Sequence, residues 1–316
     1  NGEIYNYIEL RKNLEKNGHQ FTTHSDTEVL VHLYEEYGTD SVHHLNGMFA
    51  FVIWDSTRKR LWIVRDRLGI KPLVYFEHPG GFAFASDLNA LARHPAFQKD
   101  IDLESLQFFF TLAYIPTPRT IWKNAKKLPP AHWMLIENNN LHIEKYWQLQ
   151  PSSQSKYNKE EYIYNIEKIL DQSIEFRSRS DIPVGTFLSG GLDSSAVTAL
   201  FCKRSLKDVH TFRMDFEGKD VNEGHFAQMV ARRYNTSHHQ YTLDIKLALH
   251  ALDELLPIMD EPLADSAIIP SYLLSKYARK ENIAVVLSGA GGDEIFGGYH
   301  RHYPSKRDIF AGRMPI

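Results

Sequence analysis

Residues 189–195 read Ser-Gly-Gly-Leu-Asp-Ser-Ser and follow a buried apolar run at 184–188. Two glycines let backbone amides approach an anion, and a helix opening immediately afterwards adds unpaired N–H groups and a favourable dipole. Ser189, Ser194 and Ser195 can donate hydroxyls. Asp193 would be repelled by a bare phosphate, so its presence suggests a bridging Mg2+. No lysine follows the glycines, which excludes a Walker A loop. A glycine turn needed only for packing remains an equal alternative at this point. A second glycine-rich turn, residues 288–293, again follows an apolar run.

The elements around these turns alternate. Strands are expected at 184–188, 211–216, 239–243 and 283–287. Helices are expected from about 194, at 223–234, at 245–259 and at 270–279. Such alternation predicts a parallel α/β sheet with right-handed crossovers, and ligands in such sheets sit beyond the strands' carboxyl ends. Both glycine turns lie there. The earlier region has another rhythm. Tyr7, Leu10 and Leu14 recur at helical spacing before Gly18, and Ser25 to Glu28 reads as a capping box for a second helix ending at Gly38. Strands at 48–54, 61–64, 74–76 and 82–85, apolar on both faces and joined by short turns, predict an antiparallel sheet covered on both sides. A polar stretch at 150–156 separates the regions. It divides the chain into domains at 1–150 and 156–316.

The chain has 316 residues, 43% hydrophobic and 24% charged, with a formal net charge of −3. That composition is globular and gives no basic excess for nucleic acid. No apolar run reaches the roughly 18 residues of a membrane span. One cysteine, Cys202, precludes an internal disulfide. It fits a reducing, cytoplasmic setting. The first residue is Asn rather than Met, and a fragment at both ends is expected. Among sixteen histidines the closest pairs are His43-His44, His238-His239 and His300-x-His302. None has the spacing of a zinc helix, so surface or core roles are expected.

Taken together, the strings resemble one family. FLSGGLDSS at 187–195 resembles the phosphate loop of ATP-pyrophosphatases, and of asparagine synthetases within them. LSGAGGDEIFGGY at 287–299 and DEPLADSAIIPSY at 260–272 resemble two further motifs of that family. NGEIYN at 1–6, RDRLGIKP at 65–72, FASD at 84–87 and KLPP at 127–130 resemble its class II glutaminase domain. The resemblance spans nearly the whole chain, in the family's order. It implies an Ntn-hydrolase-like layered antiparallel sandwich followed by an adenine nucleotide alpha hydrolase-like parallel-sheet domain.

It also implies a ligase. Glutamine is cleaved by an N-terminal cysteine, ammonia travels through a channel, and aspartate is activated by ATP as a β-aspartyl-adenylate before amidation to asparagine. A carboxylate is a poor acyl donor, and adenylation replaces oxide with AMP as leaving group. By position, Asn1 and Gly2 would form the oxyanion hole. Glu3 and Asp26 would hold the glutamine α-amino end, with Asp26 alternatively an N-cap. Leu188, Ser189, Gly190, Gly191, Asp193, Ser194, Ser195, Ser288 and Gly289 would bind ATP. Met214 would pack on adenine or simply fill the core. Asp293 would ligate Mg2+, together with Asp193, or orient substrate; otherwise it caps a helix. Asp265 is a candidate substrate contact, or a cap for the helix at Pro270, and Tyr299 a packing residue. Small-molecule substrates and homodimers are the implied partners.

Two departures stand out. The family's nucleophilic cysteine belongs several tens of residues before NGE and is not among these residues. Cys202, on the helix after the phosphate loop, is expected to pack, so the chain as given is not expected to hydrolyse glutamine. Ala290 stands where the family often has an acidic residue that helps acyl transfer. Either a neighbour supplies that charge or the acceptor differs, so a paralogous amidotransferase with another acceptor carboxylate is the second reading, and a silent relic the third.

Overall fold

The computed structural model describes residues 1–138, 140–150, 157–218 and 224–299. The expected boundary at 151–156, the helix start at 223, and His300 and His302 lie outside these. The chain forms two compact units. The first is Asn1–Lys156 with Pro257–Asp265, and the second is Tyr157–Leu256 with Ser266–Ile316.

The first unit carries β1 (Gly2–Ile4), α1 (Tyr7–Lys16), α2 (Asp26–Tyr37), β2 (Gly47–Asp55), β3 (Arg60–Arg65), β4 (Val74–His78), β5 (Gly81–Ala85), α3 (Leu88–Leu91), α4 (Leu103–Leu112), β6 (Ala125–Lys127), β7 (His132–Glu137) and β8 (Asn140–Lys145). A five-stranded sheet runs β1-β2-β3-β7-β8 and a three-stranded sheet β5-β4-β6, with every pairing antiparallel. Alternation in β3 explains the layers. Trp62 and Val64 pack with Leu10, Leu14, Val29 and Leu33 of the two helices. Ile63 faces the other way, toward Tyr75 of the second sheet and Leu73 just before it. Both faces of β3 are therefore covered, as its unbroken apolar run required.

The expected capping box does not form. Ser25 is the N-cap, accepting from the Thr27 amide at 3.2 Å, but Glu28 does not reach back to it. Its carboxylate instead accepts the amides of Thr22 and Thr23, each at 2.7 Å, and both hydroxyls. Four donors out-compete one. The Thr22 amide first, then the Thr23 hydroxyl, lower the Glu28 carboxyl from the ordinary 4.5 to about 2. The folded pKa is depressed, so this stabilisation is present above about 4.5 and lost as pH falls toward 2. Carbon-detected NMR should place the Glu28 titration near 2, and Glu28→Gln should flatten the unit's acid unfolding over that window.

The second unit carries α5 (Lys159–Arg177), β9 (Val184–Phe187), α6 (Leu192–Arg204), β10 (His210–Phe216), α7 (Gly224–Arg233), β11 (Ser237–Leu243), α8 (Ile245–Leu255), α9 (Ile268–Lys280), β12 (Val285–Leu287) and α10 (Gly292–Phe296). Its sheet is wholly parallel in the order β11-β10-β9-β12. Helix α8 stops at Leu255 rather than 259: Leu256 is still helical in backbone and donates to the Leu252 carbonyl, but Pro257 has no N–H to continue the ladder. Helix α9 starts at Ile268, two residues earlier than expected, which puts Pro270 in the first turn where its missing N–H costs nothing. No helix among the described residues is long and apolar enough to cross a membrane.

Candidate functional site

In the second unit the chain leaves β9 toward β10 and β11 on one side, then returns to place β12 on the other. Strands β9 and β12 thus flank the point where strand order reverses, the position at which open α/β sheets bind ligands. The two glycine turns leave the carboxyl ends of these two neighbours and pack directly on each other. A Cβ on Gly289 would lie 2.7 Å from the Ser194 nitrogen, and one on Gly292 would lie 2.3 Å from Asp193 Oδ2. A side chain at 289 would strike backbone and one at 292 would push the Asp193 carboxylate aside, so glycine in the second turn is what lets Asp193 rest against its backbone.

The first turn is braced from within. Ser194 is buried, and its hydroxyl lies 2.9 Å from Ser189 Oγ and 3.2 Å from the Gly191 carbonyl, which it can donate to. The Ser189 amide donates back to Ser194 Oγ at 3.2 Å. Ser194 therefore shapes the loop; its hydroxyl is already committed. Gly190 has φ of +97°, the backbone region that favours glycine. Gly191 caps α6 without any side chain, so no side-chain oxygen caps the amides of the helix's first turn, and Asp193 and Ser195 begin the helix there. Leu188 is buried and its amide donates to the Phe212 carbonyl at 2.9 Å. Met214 is 8% exposed and packs with Leu243, Ala251 and Leu273, surroundings that support its packing role over adenine contact.

In the second turn Ser288 Oγ accepts from the Ala290 amide at 3.4 Å. Asp293 is not the helix cap, because α10 begins one residue earlier with Gly291 in the left-handed region as its N-cap. Its carboxylate abuts Gly298, where a Cβ would fall 1.8 Å from Oδ1. Neither Asp193 nor Asp293 has an ion-pair partner among the described residues. Two uncompensated carboxylates beside uncapped amides suit a divalent cation with its phosphate better than either alone. Tyr299 donates to Glu294 Oε1 at 2.9 Å, a packing role.

The first unit holds a separate cleft of about 360 Å3, lined by Asn1, Ala50, Phe51, Pro72, Leu73 and Ser86 among others. Asn1 and Ala50 exchange two backbone hydrogen bonds, at 2.8 and 3.0 Å, so the next residue, Gly2, occupies a non-hydrogen-bonded position. Its N–H consequently points away from β2, off the open edge of the sheet. Gly2 has φ of +135°, and a Cβ there would lie 2.0 Å from the Met48 carbonyl oxygen. Two residues on, the Ile4 amide points the same way and donates to Asp26 Oδ2 at 2.8 Å. Asp26 is the first residue of α2, not its cap. Its carboxylate thus stands on the same edge as the Gly2 amide, next in sequence to Glu3, which is exposed and has its own partner.

The strings that named the cleft also build it. Arg65 is buried and donates to the carbonyls of Lys71, Leu128 and Gly69 at 2.8, 2.6 and 2.9 Å. Asp66 is 1% exposed and accepts the amides of Phe49, Leu68, Ile70 and Lys71. Neither residue received a role from sequence, although both stand inside the quoted RDRLGIKP. The same holds for the segment 260–262. Asp260 accepts the Leu88 amide at 3.1 Å. Glu261 accepts the Ile121 amide at 2.9 Å and pairs with Lys127, the lysine of KLPP. Pro257–Asp265 therefore belongs to the first unit, as its contacts show. Asp265 ends this segment and is not the cap of α9, whose N-cap is Ala267 with no side-chain cap bond.

Cys202 packs beside Phe201 and Leu287, and burial pushes its thiol up, away from nucleophilic use. His238 Nδ1 lies 2.8 Å from Thr211 Oγ1, and His44 stacks on Tyr37. Searching sequence neighbours missed what folding assembles: His19, His32 and Glu35 meet, as do His210, His239 and Glu281.

Comparison with known proteins fits both halves. Residues 1–147 match the glutamine amidotransferase domain family, and residues 165–314 match asparagine synthase. The chain belongs to the glutamine-hydrolysing asparagine synthetase family. Glutamine-hydrolyzing asparagine synthetase 3 of Bacillus subtilis is 37% identical over 95% of this chain, which covers 51% of that relative. Asparagine synthetase 1 of the same organism is 35% identical, with 47% of its length covered. A Methanocaldococcus jannaschii relative, provisionally named asparagine synthetase 2, is 38% identical across the whole chain, which covers 61% of it. The chain thus spans about half to three-fifths of the length of these relatives.

Proposed function

We propose that the whole protein amidates aspartate to asparagine, with glutamine as ammonia donor and ATP converted to AMP and pyrophosphate. The observation that carries this reading is the contact of the two glycine turns at the switch point, with Asp193 seated against Gly292. The first turn's amides and Ser189 and Ser195 would hold the triphosphate. Asp193 and Asp293 would hold Mg2+, which offsets the charge gathering on pyrophosphate. Attack of the aspartate carboxylate on the α-phosphorus would give β-aspartyl-adenylate and release pyrophosphate, and ammonia would then displace AMP. In the first unit the Gly2 amide and the Asn1 side-chain amide are the donors for a developing oxyanion, and Asp26 with Glu3 the anionic end for the glutamine ammonium. The nucleophilic cysteine that the family resemblance implies is not among these residues. A homodimer in the cytoplasm is the setting that resemblance implies.

A second reading has one observation behind it. Ala290 puts a methyl between the glycines of the second turn, where a methyl neither accepts a proton nor binds a cation. An acceptor other than aspartate would need no carboxylate there. Pyrophosphate release by the full-length protein, with ATP, Mg2+ and ammonium, separates the readings. Aspartate alone among a panel of carboxylates should trigger release. Release with another acid and none with aspartate would replace the first reading by the second.

A further inference from the structure

Three acceptor groups that the amidation chemistry does not use converge where the turn after α1 meets α2. His32 and Glu35 lie three residues apart on one face of α2, and His19 follows α1, its amide held by the Leu14 carbonyl at 3.1 Å. His19 Nδ1 and His32 Nδ1 are 3.2 Å apart. Glu35 Oε2 lies 3.3 Å from His32 Nδ1 and 3.8 Å from His19 Nδ1.

The other ring nitrogens face carboxylates. His19 Nε2 is 3.1 Å from Glu36 Oε2, and His32 Nε2 is 3.8 Å from Glu28 Oε1. A carboxylate only accepts, so the His19 proton belongs on Nε2, toward Glu36, and its Nδ1 keeps a lone pair; His32 Nδ1 lies nearer a carboxylate than its Nε2 does, and a cation bound at Nδ1 would move that proton to Nε2, toward Glu28. Two ring nitrogens and a carboxylate oxygen thus surround one point. A cation resolves that arrangement. Bonds of about 2.0–2.1 Å at tetrahedral angles put ligand atoms about 3.4 Å apart. The three observed separations bracket that value. Two imidazoles and one carboxylate suit zinc and its neighbours, whereas calcium and magnesium call for oxygen alone. Glu36, itself held by the Asn17 side chain at 3.1 Å, supplies the outer carboxylate that orients a metal-bound histidine. The two histidine side chains are 15% and 16% exposed and Glu35 is 59% exposed, so water can reach the fourth position.

We propose that His19, His32 and Glu35 form a zinc-class divalent metal site that clamps the α1–α2 turn. Titration of the tag-free, metal-stripped chain with Co2+ should give a single tetrahedral-type visible spectrum, displaced by Zn2+, and Zn2+ should raise Tm. His32→Ala and Glu35→Gln should each weaken Co2+ binding at least ~10-fold, and Glu36→Gln by about 10-fold. His239→Ala should leave it unchanged. Glu35 is exposed enough that its replacement leaves the fold intact, so a misfolded His32 variant would not shield the proposal. Affinity equal to the parent's in Glu35→Gln and in folded His32→Ala would overturn it. So would loss of the cobalt spectrum in His239→Ala instead.

Discussion

Replacing Asp193 with alanine in the full-length protein is expected to lower aspartate-dependent pyrophosphate release by about 10^2- to 10^3-fold, the loss typical when one preorganised group stabilising transition-state charge is removed. The side chain sits in the first turn of α6, against the backbone of Gly292, with no ion-pair partner among the described residues. It does nothing visible for the fold, so the variant should melt like the parent. The stabilisation that Mg-ATP gives the parent should shrink in the variant, since only ligand bound to the folded form raises Tm. Turnover within a few-fold of the parent would show that the glycine turns are not where ATP is cleaved.

Lys127→Met should destabilise the first unit by about 3–5 kcal/mol, as expected when one partner of a buried ion pair is removed. Lys127 and Glu261 are 18% and 15% exposed, and the lysine also donates to the Ile115 carbonyl at 3.0 Å. Burial raises the Glu261 carboxyl above its ordinary range, and Lys127 is the main influence opposing that rise. A raised acid pKa means the folded state binds more protons between the unfolded and folded values, so stability falls as pH rises through that window. Without Lys127 the folded value moves further up and the window widens. The deficit of the variant should therefore be greatest at neutral pH and shrink on acidification. Urea unfolding followed at neutral and at acidic pH measures this; a deficit independent of pH would mean that Glu261 is not the group left stranded.

Sequence made the second unit's strands and the position of both glycine turns legible, because buried parallel strands are continuous apolar runs and glycines mark where they end. It did not reveal α5, whose isoleucines at 163 and 169 are exposed and whose one buried residue is Ile174. The signal was nonetheless there, in Ile163, Ile166, Leu170 and Ile174 at helical spacing behind a capping box of Asn158 and Glu161. The β7–β8 hairpin was also missed, although Asn138, at φ of +51°, is the residue type that such turns recruit. In the site, the placement of Gly190 in a tight turn and of Asp193 at the start of the helix after it was readable from local spacing. The roles of Asp66 and of the Glu261–Lys127 pair were not: Asp66 works through backbone amides, and the pair joins residues 134 apart in sequence. The same limit hid the His19 cluster, which exists only once α1 and α2 are packed.

The placement of Pro257–Asp265 has a practical meaning for anyone dissecting this molecule. A gene segment stopping near residue 150 would encode every strand of the first unit yet leave out Asp260 and Glu261, which complete the turn at Leu88 and neutralise Lys127. Such a truncate would be a damaged body, and its complement would carry an orphaned loop. The polypeptide thus passes between the two units more than once, and an excision strategy has to transplant the loop along with the two sheets it serves.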